Sequence, residues 1–169
     1  MSTEPWLRGP LAGAHPVASH LIYTFEQARE ELASFTRGLS PEQVWRDVAG
    51  GSVGFHLRHI AGSVDRLATY LGGEFLTGEQ MAFLKSESVV GATLDELLQE
   101  LDAVFLRVIA LVKSIDPATY LDVRGVGRKA LPTTVAGLII HISEHTQRHL
   151  GQAILTAKIV RAAAATGGL

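Results

Sequence analysis

Four segments of the chain repeat apolar residues at intervals of three and four, the pattern of helices that bury one face. "VASHLIYTFEQAREELASFTRGL" (17–39) runs until Gly38 and Pro41 act as stop signals. "VGFHLRHIAGSVDRLATYL" follows a Gly50-Gly51 break and a capping Ser52, and sets Val53, Leu57, Ile60, Val64, Leu67 and Leu71 on one stripe. "TLDE" (93–96) has the form of a capping box and opens "LLQELDAVFLRVIALVKSI", which continues to Pro117. The fourth helix is predicted from Thr133 or Thr134 to about Ala163. With no convincing sheet, this order predicts an all-α fold, a four-helix bundle with a long crossover between helices two and three.

The connections are read from their turn residues. Ser40 and Pro41 suit the cap and first position of a short helical turn at "SPEQVW". "GGEFLTGEQMAFLKSESVVGA" (72–92) is glycine-rich at both ends and weakly periodic, so it is predicted to be the crossover, with at most a helical turn in it. "ATYLDVRGVGRKALPTT" carries short alternating patches around Gly125, Gly127 and Pro132 and is predicted to be an extended loop or small hairpin. At 169 residues the whole chain (1–169, core about 17–162) reads as a single domain.

Composition then narrows the chemistry. A formal net charge of −2 argues against nucleic acid as a ligand. No window of about 18 uninterrupted apolar residues is present and the N-terminus lacks a secretory pattern, so a cytoplasmic protein without a membrane partner is expected. Without cysteine there is no thiolate nucleophile and no thiolate metal ligand, so imidazole and carboxylate would have to hold any metal.

The imidazoles are arranged for that. "HISEHTQRHLGQ" (141–152) puts His141, His145 and His149 four residues apart on one helix. Neighbours in that series differ by about 40° and about 6 Å of rise and can share an ion, whereas His141 and His149 are about 12 Å apart along the axis and cannot. Val135, Leu138, Ile139, Ile142, Ala153, Ala157 and Val160 define the apolar arc, with His149 inside it, His145 at its edge and His141 turned outward. The pair facing the bundle is therefore His145 with His149, and a third ligand must come from another helix, where His56 and His59 are both candidates. On the helical wheel His56 sits nearer the apolar stripe.

"GSVGFHLRHIAGSVDRL" and "GRKALPTTVAGLIIHISEHTQRHLGQ", in this helix order, resemble the DinB-like (DinB/YfiT-like) superfamily of metalloenzymes over about residues 17–162. The resemblance implies a bundle with a long crossover, often a homodimer, holding a divalent metal through one histidine of the second helix and an H-x-x-x-H pair of the fourth. The histidine that precedes a small apolar pair, as in "HIAG", is His59, so the implied ligands are His59, His145 and His149. Three imidazoles around Zn²⁺, Ni²⁺ or Fe²⁺ leave a position open for water or a small-molecule substrate. Similar proteins include transferases that bind a low-molecular-weight thiol as cosubstrate, and metal-dependent hydrolases. A non-enzymatic ligand-binding or dimeric helical module is the remaining alternative, and no catalytic residue is singled out.

Other residues are weaker candidates. Gln152 is placed to orient a ligand imidazole, whereas Glu144 and Arg148 read as solvated positions. Arg124, Arg128 and Lys129 form a basic loop suited to an acidic cosubstrate or simply to solvent. Tyr70, Trp45 and Phe55 read as pocket or core aromatics, and Asp65 and Asp102 have no partner at useful sequence spacing.

Overall fold

The long helices form where the apolar repeats place them, and each begins at a side chain able to cap it. The computed structural model describes residues 3–166; the ends of the 1–169 domain reading, residues 1–2 and 167–169, lie outside the described residues. The bundle consists of α1 (Pro16–Phe35), α3 (Val53–Leu71), α5 (Leu94–Ser114) and α6 (Val135–Ala165), with a short α2 (Pro41–Trp45) between the first two. Ser40, Ser52, Thr93 and Thr134 cap α2, α3, α5 and α6 by accepting from a backbone N–H of the first turn, which supplies partners that the helix itself cannot.

Helix α6 lies between α1 and α3, α5 packs on the other side of α3, and a smaller α1–α5 contact closes the ring. One hydrophobic cluster fills the space between them. Phe25 of α1 and Phe105 of α5 stack at its centre, with ring centroids 4.0 Å apart and planes 10° from parallel. Both are fully buried. Phe105→Ala is expected to lower stability by about 3–5 kcal/mol, read by urea denaturation, because the vacated volume cannot be refilled by its neighbours. No helix of the described residues is long and apolar enough to cross a membrane.

Two connections position the site. The crossover holds a nine-residue helix, α4 (Gly78–Ser86), where the composition predicts no more than a turn. Its start follows the capping-box rule: Thr77 accepts from the Gln80 N–H and the Gln80 side chain accepts from that of Thr77. The segment after α4 is clamped by Arg58, which donates to the carbonyls of Ser86 (3.2 Å) and Val89 (2.7 Å) while its guanidinium lies over the Trp45 ring. Trp45 donates to the Ala92 carbonyl at 2.8 Å, so this aromatic is a strut for the crossover.

The second connection is an antiparallel hairpin, β1 (Val123–Val126) with β2 (Leu131–Thr134), in register Val123 with Thr134 and Val126 with Leu131. Arg124 donates through Nε to the Leu71 carbonyl at 3.0 Å, tying the hairpin to the end of α3. The Tyr120 and Asp122 carbonyls accept from the first-turn N–H groups of Ala136 and Val135, so the same segment also closes the start of α6.

The aspartates expected to stand alone are paired. Asp65 meets Arg107 at 2.9 Å and Asp102 meets Arg29 at 2.5 Å. Both pairs join different helices, separated by 42 and 73 residues, and spacing along a single helix does not reveal them.

Candidate metal centre

Two facing helices bring their histidines together at the edge of the core. His59 of α3 and His145 and His149 of α6 each offer a ring nitrogen, and the three nitrogens lie within 4.8 Å of one another. The ring centroids are 4.3 Å apart for His59–His149, 4.7 Å for His145–His149 and 5.2 Å for His59–His145. Nitrogens bound to one tetrahedral ion at roughly 2.1 Å stand about 3.4 Å apart, so small side-chain rotations are enough to close the set.

The Nδ1 edge of each ring is already engaged. His59 Nδ1 donates to Glu87 Oε2 at 2.7 Å. That carboxylate is 3% exposed, and its Oε1 accepts from Arg66 at 2.9 Å. His145 Nδ1 lies 3.2 Å from Ser63 Oγ, and since the Ser63 hydroxyl gives its proton to the Ile60 carbonyl, the imidazole donates. His149 Nδ1 meets His56 Nδ1 at 3.3 Å, an arrangement that requires one ring to donate and the other to accept. These bonds leave Nε2 as the free nitrogen of His59 and His145, and of His149 in the tautomer whose Nδ1 donates to His56, and a partner on the opposite nitrogen is the usual means of fixing an imidazole ligand.

Electrostatics keeps the lone pairs available. Burial, reinforced by the neighbouring His59 imidazole, lowers His145 and His149 to about 4, so both are neutral at pH 7. Burial also lowers His56, again with help from His59. Three imidazoles converging from two helices, without thiolate, fit a divalent ion of the zinc, nickel or iron type. The Phe55 ring stacks on His59 at 5.5 Å and 22°.

His56, the more core-directed of the two α3 histidines on the wheel, is 6% exposed. Its place is behind His149, as a hydrogen-bond partner outside the group of three converging nitrogens. His59 is less buried, as a site open on one side requires. His141 is half-exposed and pairs with Glu144 at 2.6 Å, one turn away from the cluster. Gln152 is exposed and bonds to no ligand imidazole among the described residues; Glu87, Ser63 and His56 orient the rings instead.

Glu87 has no sequence signal of its own, because it follows α4 in the weakly periodic crossover. Ser63 does have one, four residues after His59 and so on the same helix face. The small residues after His59 also acquire a reason. A Cβ on Gly62 would stand 2.5 Å from Glu87 Oε1 and 2.7 Å from an Arg66 nitrogen, so a side chain there would make the buried ion pair shift from its place against α3.

A cavity of about 580 Å³ opens beside His59 and His145, between α3, the crossover and the hairpin turn. Tyr70 lines it, along with Leu67, Met81 and Arg128. The sequence model of the DinB superfamily matches residues 24–153, a span that runs from α1 into α6 and contains all of the clustered histidines. No curated protein matches the chain significantly. On this match, together with the helical architecture, the chain belongs to the DinB superfamily.

Proposed function

We propose that the chain is a metal-dependent enzyme whose divalent ion is held by His59, His145 and His149, and that it transfers a small thiol to an electrophilic substrate. The observation that carries this reading is the meeting of three imidazoles, each with its Nδ1 edge occupied, two of which, His59 and His145, line a cavity large enough for a small molecule. When bound, the ion supplies an open coordination position and lowers the pKa of a thiol held there.

The residues of the chain divide the remaining work. Glu87, Ser63 and His56 hold the imidazoles in place, which limits reorganisation of the site during a reaction. Leu67, Tyr70 and Met81 form an apolar wall that restricts water around the reacting groups. No aspartate or glutamate lines this cavity among the described residues, and the nearest buried carboxylate, Glu87, is committed to Arg66 and His59. A metal-dependent hydrolase would ordinarily place a free general base beside its water. The cavity offers no such carboxylate, which favours a nucleophile that arrives with the cosubstrate.

An omission assay separates the readings. Metal-loaded protein is expected to consume a panel of alkyl and aryl halides only when a small thiol is present, forming the carbon–sulfur bond with loss of halide. Turnover of esters or amides without thiol would support the hydrolase instead. A chain that binds no metal at micromolar concentration would leave only the non-enzymatic module.

A further inference from the structure

The cavity beside the histidines has a charge pattern that specifies more than its size. Two arginines line it, Arg66 and Arg128. Carboxylates touch its lining residues in only two places among the described residues, Glu87 on Arg66 and His59, and Glu144 on His141. Arg66 is thus neutralised by Glu87. Arg128 makes no side-chain hydrogen bond or ion pair among the described residues, and it lines the cavity from the hairpin turn.

That turn is held in place. Gly127 and Ala130 both have positive φ, +71° and +46°, and the Ala130 N–H donates to the Gly127 carbonyl at 3.0 Å. The Arg124 bond to the end of α3 ties down the strand that leads into it. To the same cavity the crossover contributes exposed apolar side chains. Phe75 is 83% exposed and Leu84 39% exposed, and both line the cavity together with Leu76 and Met81. An unpaired cation and exposed apolar side chains lining one space of ligand size match a molecule that has one anionic end and one apolar end.

We propose that this cavity binds an organic monoanion with an apolar body, such as an aryl- or branched-alkyl carboxylate. Arg128 pairs with the carboxylate while Phe75, Leu76 and Leu84 cover the apolar part. The inference rests on the enzymatic reading for its meaning, since it names the substrate class of the same site. Its contacts, however, require only the cavity walls.

Calorimetric titration of the full chain with 4-phenylbutyrate, 4-phenylbutan-1-ol and 4-phenylbutylamine tests it. The carboxylate is expected to bind at least about tenfold more tightly than the alcohol, and the amine more weakly than either. Arg128→Glu is expected to weaken the carboxylate by about tenfold or more while leaving the alcohol within about twofold, and Phe75→Ser to weaken carboxylate and alcohol alike. Both positions are exposed, so these variants leave the fold intact. A His149→Ala chain separates the two proposals, because His149 is a proposed metal ligand that does not line this cavity. Carboxylate binding that survives His149→Ala and is lost in Arg128→Glu supports the anion site whatever becomes of the metal. Binding lost in His149→Ala but unchanged in Arg128→Glu would mean that the anion sits on the ion, and would overturn the role given to Arg128. Equal affinity for the three probes, or no binding of the carboxylate at millimolar concentration, would overturn the inference outright.

Discussion

His149→Ala is expected to abolish divalent-metal binding while leaving the fold in place. His149 has the shortest centroid distances to both other proposed ligands, so its loss leaves only the pair whose rings stand 5.2 Å apart. Removing a partner behind a metal-bound histidine typically weakens affinity by about 10–100-fold, so removing the ligand itself should exceed roughly 100-fold. The ring lies at the edge of the core and carries no burden of the central packing, so the apo-protein should lose less than about 1.5 kcal/mol. Isothermal titration with Zn²⁺ and urea denaturation of the apo form read the two quantities separately. His141→Ala is the matched control and should bind metal as the parent does, because His141 is engaged with Glu144 outside the cluster. A His149→Ala chain that still binds Zn²⁺ with parental affinity would show that the ion is held elsewhere.

The second large effect is expected at Glu87, and it should appear in both stability and metal affinity. Glu87→Ala strands the Arg66 guanidinium, itself 9% exposed, without its carboxylate. Breaking a buried ion pair by removing one member typically costs about 3–5 kcal/mol, since the remaining charge is left uncompensated. The same change frees His59 Nδ1, and the affinity for Zn²⁺ should fall by about 10–100-fold. The conservative Glu87→Gln retains an oxygen acceptor for His59, so it should recover most of the metal affinity while remaining less stable than the parent. A purely structural role would give a different result, with both variants losing stability and neither changing the affinity of the folded protein for metal. Gly62→Ala should reproduce part of the Glu87→Ala phenotype by pushing the carboxylate off α3.

Why Glu87 escapes a reading of the sequence is a matter of range. Helices α1, α3, α5 and α6 are legible because burial of one face imposes a period of 3.6, and their caps are Ser or Thr at the expected positions. The H-x-x-x-H pair of α6 follows from that same period, whereas the wheel sets His56 nearer the apolar stripe and it is the resemblance that points to His59. Helix α4 shows only its cap, Thr77 with Gln80, because none of its residues is buried and it has no apolar stripe to display. Glu87, lying 28 residues from His59, meets it only because the crossover folds back over α3. The Asp65–Arg107 and Asp102–Arg29 pairs depend on inter-helix packing in the same way. Gln152 illustrates the converse: its position along α6 is compatible with supporting a ligand, but its side chain faces solvent. Periodicity reports the face of a helix, whereas the partner on the opposing element is decided by how the elements pack.

The position of the cluster also explains why the more buried histidine of α3 is not among the converging three. His59 stands where the core meets the cavity, as the open coordination position proposed for it requires. His56, one turn earlier, faces Gly51, where an added Cβ would come within 2.7 Å of its Nε2, and so has room only for a supporting role.

The most direct test of the central claim is elemental analysis of the full chain, purified without a histidine tag, combined with X-ray absorption at the edge of whichever metal is found. About one divalent ion per chain is expected, coordinated by three imidazole nitrogens and one exchangeable ligand, and lost in His145→Ala and His149→Ala. Protein that carries no ion and takes up none at micromolar concentration, or an ion whose absorption spectrum shows no imidazole scattering, would contradict it.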